Sequence, residues 1–354
     1  MGFEETEDTG FRREYRRTTA RRLAFIVACI VLCAVVAIYA ITLGPYPLSF
    51  SDVYGILWDE LINMPQSNVE AAHVVIELRL PRILAAIVCG VAFAVCGVAM
   101  QSILKNPLAD PYTMGISSGA GFGAAIALIL GIEVISGGGV VLNAFVFAMI
   151  PTAIILFLSR FRRATPTMMI LCGTSLMYMF NALTQLFMIV ADPDDLSTVY
   201  RWMVGTLDNV GYDDLVIILI VAAAGVIILQ LLANRLNVIG SGDESARTLG
   251  VNVDTERLLI LVLITIVAAS VVSFTGIIGF VGLVSPHIAR LMVGSDNRYL
   301  LPASAAVGAL LLLAADILSR TVSDLMLPVG VVTACIGGPL FMFLILRTDK
   351  EEWS

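Results

Sequence analysis

Ten apolar runs dominate this chain, each close to the roughly 20 residues that cross a bilayer. They cover 23–43, 82–104, 113–130, 139–159, 167–190, 213–233, 256–274, 276–293, 299–318 and 330–346. Lipid offers no hydrogen-bond partner to a bare backbone, so spans of this kind close their own bonds as helices. The period-2 alternation of an outer-membrane barrel is absent. The expected fold is therefore all-α: a polytopic membrane protein of about ten helices. A content of 58% hydrophobic and 14% charged residues is more apolar than a water-soluble core of 354 residues requires.

The net charge of −7 is less informative than its placement. Basic residues gather at Arg12, Arg13, Arg16, Arg17, Arg21 and Arg22, at Lys105, at Arg160, Arg162 and Arg163, and at Arg235, Arg247, Arg257, Arg290, Arg298, Arg347 and Lys350. The alternate loops are acidic: Asp59 and Glu60, Glu70 and Glu77, Asp192 to Asp195, Asp213 and Asp214. Positive charge marks the cytoplasmic side, so both termini are expected there, in the cell membrane. The expected organisation is a basic cytoplasmic tail (1–22), a single transmembrane domain (23–347) and a short cytoplasmic tail (348–354). The first apolar run is too long for a signal peptide and reads as a retained anchor. Arg79, Arg82, Arg201 and Arg320 break the charge pattern.

Three further segments are short. A small amphipathic helix is expected near 51–61, an interfacial or re-entrant helix over 196–207, and a short piece over 320–327 closed by Pro328-Val329-Gly330. The span at 276–293 reads either as continuous or as broken. Gly276, Gly279 and Gly282 recur every three residues, which favours close helix packing.

Several activities are excluded. No phosphate-binding Gly-x-x-x-x-Gly-Lys-Ser/Thr loop is present, so the chain is not its own ATPase. No His-Glu-x-x-His occurs, and His73 and His287 are the only histidines. The six cysteines lie in apolar runs without metal-ligand spacing and read as small buried hydrophobes. No catalytic residue, metal or cofactor is expected. Asp316 is the best candidate for an intramembrane carrier group, as an ion-coupled secondary transporter would need. It also stands four residues before Arg320, where a helical ion pair accounts for it.

One loop has more structure than a linker needs. In Gly242-Asp243-Glu244-Ser245-Ala246-Arg247-Thr248-Leu249-Gly250, Ser241 or Asp243 can cap a short helix. Ala246 and Leu249 would give it one apolar face, and Gly250 would end it. This is a candidate docking knob for a cytoplasmic partner.

The chain resembles the FecCD family of ABC-importer permeases, which take up iron chelates, haem and cobalamin. The resemblance covers most of 43–347. It is carried by Arg79-Leu80-Pro81-Arg82, Met100-Gln101 with Asn106-Pro107-Leu108-Ala109, Gly115 to Ala120, Ser245 to Gly250, Gly276 through Arg290, and Leu327 to Gly330 with Gly338-Pro339. It implies a type II importer permease acting as a homodimer in the bilayer. Two ABC ATPase subunits would sit below and a substrate-binding protein above, with no nucleic acid involved. Arg79, Arg82 and Arg320 match the outward arginines that receive carboxylates of the binding protein. The loop helix from Gly242 to Gly250 matches the ATPase coupling helix. Asn106 and Leu108 match one cytoplasmic gate layer, and Thr165 and Pro166 the other, where the family often has Ser or Thr in place of Pro166. The methionines of the fifth span (Met168, Met169, Met177, Met179, Met188) would line part of the path.

Overall fold

The computed structural model describes residues 2–66, 68–161, 163–322 and 327–347, and the described residues are built from helices without strands. Arg162, Lys350, positions 323–326 of the expected short piece and the expected tail 348–354 lie outside the described residues. The helices are α1 (Gly2–Ala40), α2 (Phe50–Leu61), α3 (Val69–His73), α4 (Leu80–Leu104), α5 (Ile116–Leu130), α6 (Gly139–Leu158), α7 (Pro166–Val190) and α8 (Pro193–Met203). They continue with α9 (Tyr212–Leu231), α10 (Ala233–Gly240), α11 (Asp243–Thr248), α12 (Val253–Thr275), α13 (Val281–Val293), α14 (Asn297–Thr321) and α15 (Val329–Arg347). Among the described residues, seven helices are long and apolar enough to span a membrane; three shorter apolar ones, α5, α13 and α15, complete the ten. The residues expected to form a basic tail are the first half of α1.

The small helices have local causes. Ser49 caps α2 by accepting from the Asp52 N–H, and the Asp52 carboxylate accepts from the Ser49 N–H in return, a reciprocal capping box. Pro193 opens α8 at a first-turn position, where a missing N–H costs nothing. A six-residue π-helical stretch, Val74–Arg79, joins α3 to α4 and turns Arg79 inward.

α4 is the central strut, packed against α9, α12, α13 and α14. In lipid the hydrophobic effect does not pull helices together, so packing depends on close backbone approach. A Cβ on Gly97 would lie 1.8 Å from the carbonyl oxygen of Gly282, and one on Gly90 would lie 2.4 Å from that of Gly308. The Thr152 and Thr265 hydroxyls, 2.6 Å apart, tie α6 to α12.

The run at 276–293 is broken. Residues 276–280 are non-helical, and α13 starts only at Val281. Gly276 adopts φ +68° with the Trp202 carbonyl 2.1 Å from where a Cβ would stand, so the break requires glycine there. Gly282 packs on α4, but Gly279 meets nothing within 4 Å, so the three glycines do not form one packing stripe. The segments around the break are tied to one another: the Thr206 N–H donates to the Thr275 carbonyl at 2.8 Å, and the Gly330 N–H to the Gly205 carbonyl at 3.1 Å. Irregular backbone at such depth persists only when its polar groups are met by protein.

Candidate functional site

Two clusters of buried charge occupy opposite ends of the bundle. The first gathers the three expected arginines at the end where α1 finishes. All three are buried. Arg79 Nη1 donates to the Ile41 carbonyl at 2.9 Å and Nη2 to that of Tyr46, so it pins the chain leaving α1. Arg82 Nε donates to Asp316 Oδ1 at 2.6 Å and Nη2 to the Ser319 hydroxyl at 3.0 Å; Nη1 pairs with Asp208. Arg320 Nη1 donates to the Leu43 carbonyl at 3.2 Å. Its Nη2 stands 3.0 Å from Asp316 Oδ2 as an ion pair, without the alignment of a hydrogen bond.

This arrangement decides what Asp316 is. It is fully buried and held between two guanidiniums, so the i, i+4 pair with Arg320 forms as expected and Arg82 adds a second hold. A charge so placed is stabilised only by its partners. The count of three arginines against Asp316 and Asp208 leaves the cluster one positive charge in excess. Arg201 lies nearby, lining a cavity of about 780 Å3 with Trp202, Thr206, Asp208, Thr275 and Pro328.

The second cluster is at the end holding Arg22, whose guanidinium lies 5.0 Å above the Tyr299 ring at the start of α14. α11 forms inside the expected 242–250 loop. Neither Ser241 nor Asp243 caps it: Gly242 stands at the cap with φ +125°, without a side-chain bond. Ala246 is buried but Leu249 is exposed, so they do not form a shared apolar face. Gly250 ends the segment with φ +81°, as expected.

Asp243 is spent on ion pairs instead. Its Oδ1 takes Lys105 Nζ at 2.5 Å and Arg257 Nη2 at 2.9 Å. Partial burial would raise its pKa, but the hydrogen bonds and charges of Lys105 and Arg257 prevail and lower it. Arg257 is fully buried; its Nε donates to the Ile103 carbonyl at 2.8 Å and its Nη1 to that of Ala164 at 2.7 Å. Arg247 reaches Asp254 at 3.3 Å.

The four expected gate residues sit at this end, three in connecting segments and Pro166 at the start of α7. Asn106 follows Lys105, the left-handed C-cap of α4, and its Oδ1 accepts the Leu108 N–H at 2.9 Å. Leu108 is exposed. Thr165 caps α7 by accepting the Met168 N–H at 3.3 Å, and Pro166 takes the first helical position. Pro166 therefore has a structural reason to stand where the family often has a hydroxyl residue. Beside these turns, Gln101, Lys105, Asn106, Ser241, His287 and Arg290 help to line a second cavity of about 780 Å3. Asp110, between the turn and α5, is buried; desolvation lifts its pKa to about 6 against the hydrogen bonds it accepts from Thr113.

α7 has the lowest mean hydropathy of the seven long spans, 1.2, and only 22% of that window is buried. Ser175, Tyr178 and Gln185 share its exposed side. The methionines do not form one face: Met169 is fully buried and Met179 exposed. The cysteines divide as well: Cys29, Cys33, Cys89 and Cys96 are buried, Cys172 is partly covered and Cys335 is exposed.

Sequence reasoning missed Asp208, Lys105 and Arg257 as cluster members. The only signal available was that Lys105 and Arg257 flank spans on the basic side; nothing local identifies their partners.

The FecCD transport family matches residues 31–347. The chain is 34% identical to the hemin transport system permease protein HmuU of Yersinia pestis, over 91% of this chain and 95% of that protein. It is also 34% identical to the cobalamin import system permease protein BtuC of Halobacterium salinarum, over 95% and 99%. A solved structure described as an inward-facing metal-chelate type ABC transporter superposes with a TM-score of 0.81 at 30% identity, covering 91% of this chain and 99% of that one.

Proposed function

Because the chain belongs to the FecCD transport family, a family of multi-pass ABC-importer permeases, we propose that it is the membrane conduit through which separate ATPase subunits drive uptake of a metal chelate. The cargo class is an iron-siderophore, haem or cobalamin. The relatives above are named for hemin and for cobalamin, which agrees with a path that selects by size and shape. A substrate-binding protein delivers the cargo on the outer side. Both termini are cytoplasmic, in the cell membrane.

The single observation that carries this reading is α11: a short helix between two positive-φ glycines, exposed at Arg247, Thr248 and Leu249, and bound by Asp243 to Lys105 before α5 and to Arg257 of α12, which itself holds the Ala164 carbonyl before α7. A connection serving only to link α10 to α12 has no use for such anchorage. α7 supports a homodimer. Its exposed Ser175, Tyr178 and Gln185 suit a watery path shared with a second copy better than lipid. At the outer end, Arg79, Arg82 and Arg320 are proposed to receive carboxylates of the binding protein, pairs that would orient docking.

Reconstitution with ATPase subunits and binding protein in liposomes tests this. Uptake of iron-siderophore, hemin or cobalamin should require ATP and binding protein together. Uptake by the permease alone, driven by an ion gradient, would favour the ion-coupled alternative; Asp316, held between two arginines, is poorly placed for the proton exchange it needs.

A further inference from the structure

Arg257 joins the end of α4, the segment before α7 and the start of α11. It stands in the second turn of α12, buried throughout. Its Nε meets the Ile103 carbonyl, one of the last-turn acceptors of α4 that have no partner within the helix. Its Nη1 meets the carbonyl of Ala164, the residue before Thr165. Its Nη2 meets Asp243, the first residue of α11. Asp243 in turn holds Lys105, the residue before Asn106. One carboxylate and one guanidinium therefore join the knob to the roots of both gate layers.

We propose that Arg257 and Asp243 form a positioning relay that carries a displacement of α11 to the segments 106–108 and 164–166 together. The relay rests on the permease reading. α11 is suited to move as a unit, since Gly242 and Gly250 flank it with φ values that bulkier residues rarely adopt. Beyond the buried Ala246, polar ties through Asp243 and Arg247 hold it to the bundle. The guanidinium matters as a shape: its planar fork holds three acceptors in fixed directions, which a lysine ammonium cannot reproduce.

The experiment uses the complete complex of permease, ATPase subunits and binding protein in nanodiscs. Single cysteines replace Leu108 or Thr165 in a cysteine-free background, and maleimide labelling from the cytoplasmic side is compared with and without vanadate-trapped ATP. The parent complex should show about a tenfold change at both positions per trapped nucleotide. Arg257→Lys and Asp243→Asn should reduce it to less than about twofold at both, while Asp243→Glu keeps most of it. The pair of exposed Arg235 with partly covered Glu256 supplies a control, and Arg235→Gln should leave the change intact. If Arg257→Lys does not assemble, Asp243→Asn carries the test, because it leaves both carbonyl bonds of Arg257 in place. A full change in Asp243→Asn, or a loss shared by Arg235→Gln, overturns the relay. No nucleotide-dependent change in the parent complex overturns the permease reading itself, a result distinct from either.

Discussion

Arg82 Nε donates to Asp316 Oδ1 at 2.6 Å across a sequence separation of 234 residues. This bond joins α4 to α14 at the end of the bundle where α1 finishes, and Arg320 holds the other oxygen of the same carboxylate. Asp316→Asn leaves two buried guanidiniums short of a counter-charge, so it should destabilise the protein by about 3–5 kcal/mol. Asp208→Asn removes only the half-exposed partner of Arg82 and should cost under about 1 kcal/mol. Unfolding midpoints in detergent measure both, and equal effects would contradict the cluster.

Asp208 also occupies Arg82 at the face where the binding protein is proposed to dock. A docking carboxylate must compete with it. Asp208→Ala should therefore strengthen docking several-fold at low ionic strength, with the gain shrinking as salt rises. Surface plasmon resonance on the nanodisc-embedded permease at two salt concentrations reads this. Weaker docking in Asp208→Ala would show that Asp208 belongs to the interface rather than opposing it.

Burial of Asp110 makes a pH prediction. Its pKa is about 6 in the fold against 3.8 for the free side chain. The folded state therefore binds more protons between those values, and stability falls as pH rises through that window. Above it the buried charge costs up to about 3 kcal/mol, taking about 1.36 kcal/mol per unit. Asp110→Asn keeps an acceptor for the Thr113 N–H and removes the charge. It should raise the thermal midpoint at pH 7.5, with the advantage gone near pH 4. A gain that does not depend on pH would rule out this cause.

The α4–α13 crossing gives the sharpest steric test. With the Gly282 oxygen 1.8 Å from a Cβ at Gly97, Gly97→Ala must push the two helices apart. A cost of about 1–3 kcal/mol is expected. Gly55, in the middle of α2, meets nothing within 4 Å. Gly55→Ala should instead gain up to about 1 kcal/mol from helix propensity. Thermal unfolding of the two variants side by side should separate them in sign.

Much of this was legible from residue order. A span announces itself by about 20 apolar residues in succession, and that property is local. The ends of α4, α7, α9 and α14 accordingly fall within a few residues of expectation. The helix in the 242–250 loop was expected from a Ser241 or Asp243 cap, an Ala246–Leu249 face and a Gly250 stop; the helix forms, but of these causes only the stop at Gly250 is met. Where two local patterns competed, one had to lose. At 276–293 the glycine spacing suggested packing along a single helix, yet the backbone breaks, because the Trp202 and Gly205 backbone occupies the space a continuing helix would need.

By itself, then, the order of residues determined the number of spans, the charge asymmetry of the loops and the position of the short helix α11, all set by neighbours along the chain. Which charges meet was decided only by the tertiary packing. The sequence sets Arg82 and Arg320 apart from Arg257 by side, but for none of the three does it name a partner. Their roles separate because α4, α12 and α14 cross at points where backbones nearly touch. Those crossings carry each guanidinium into a dry site, where any carboxylate or carbonyl brought within reach becomes its obligatory partner.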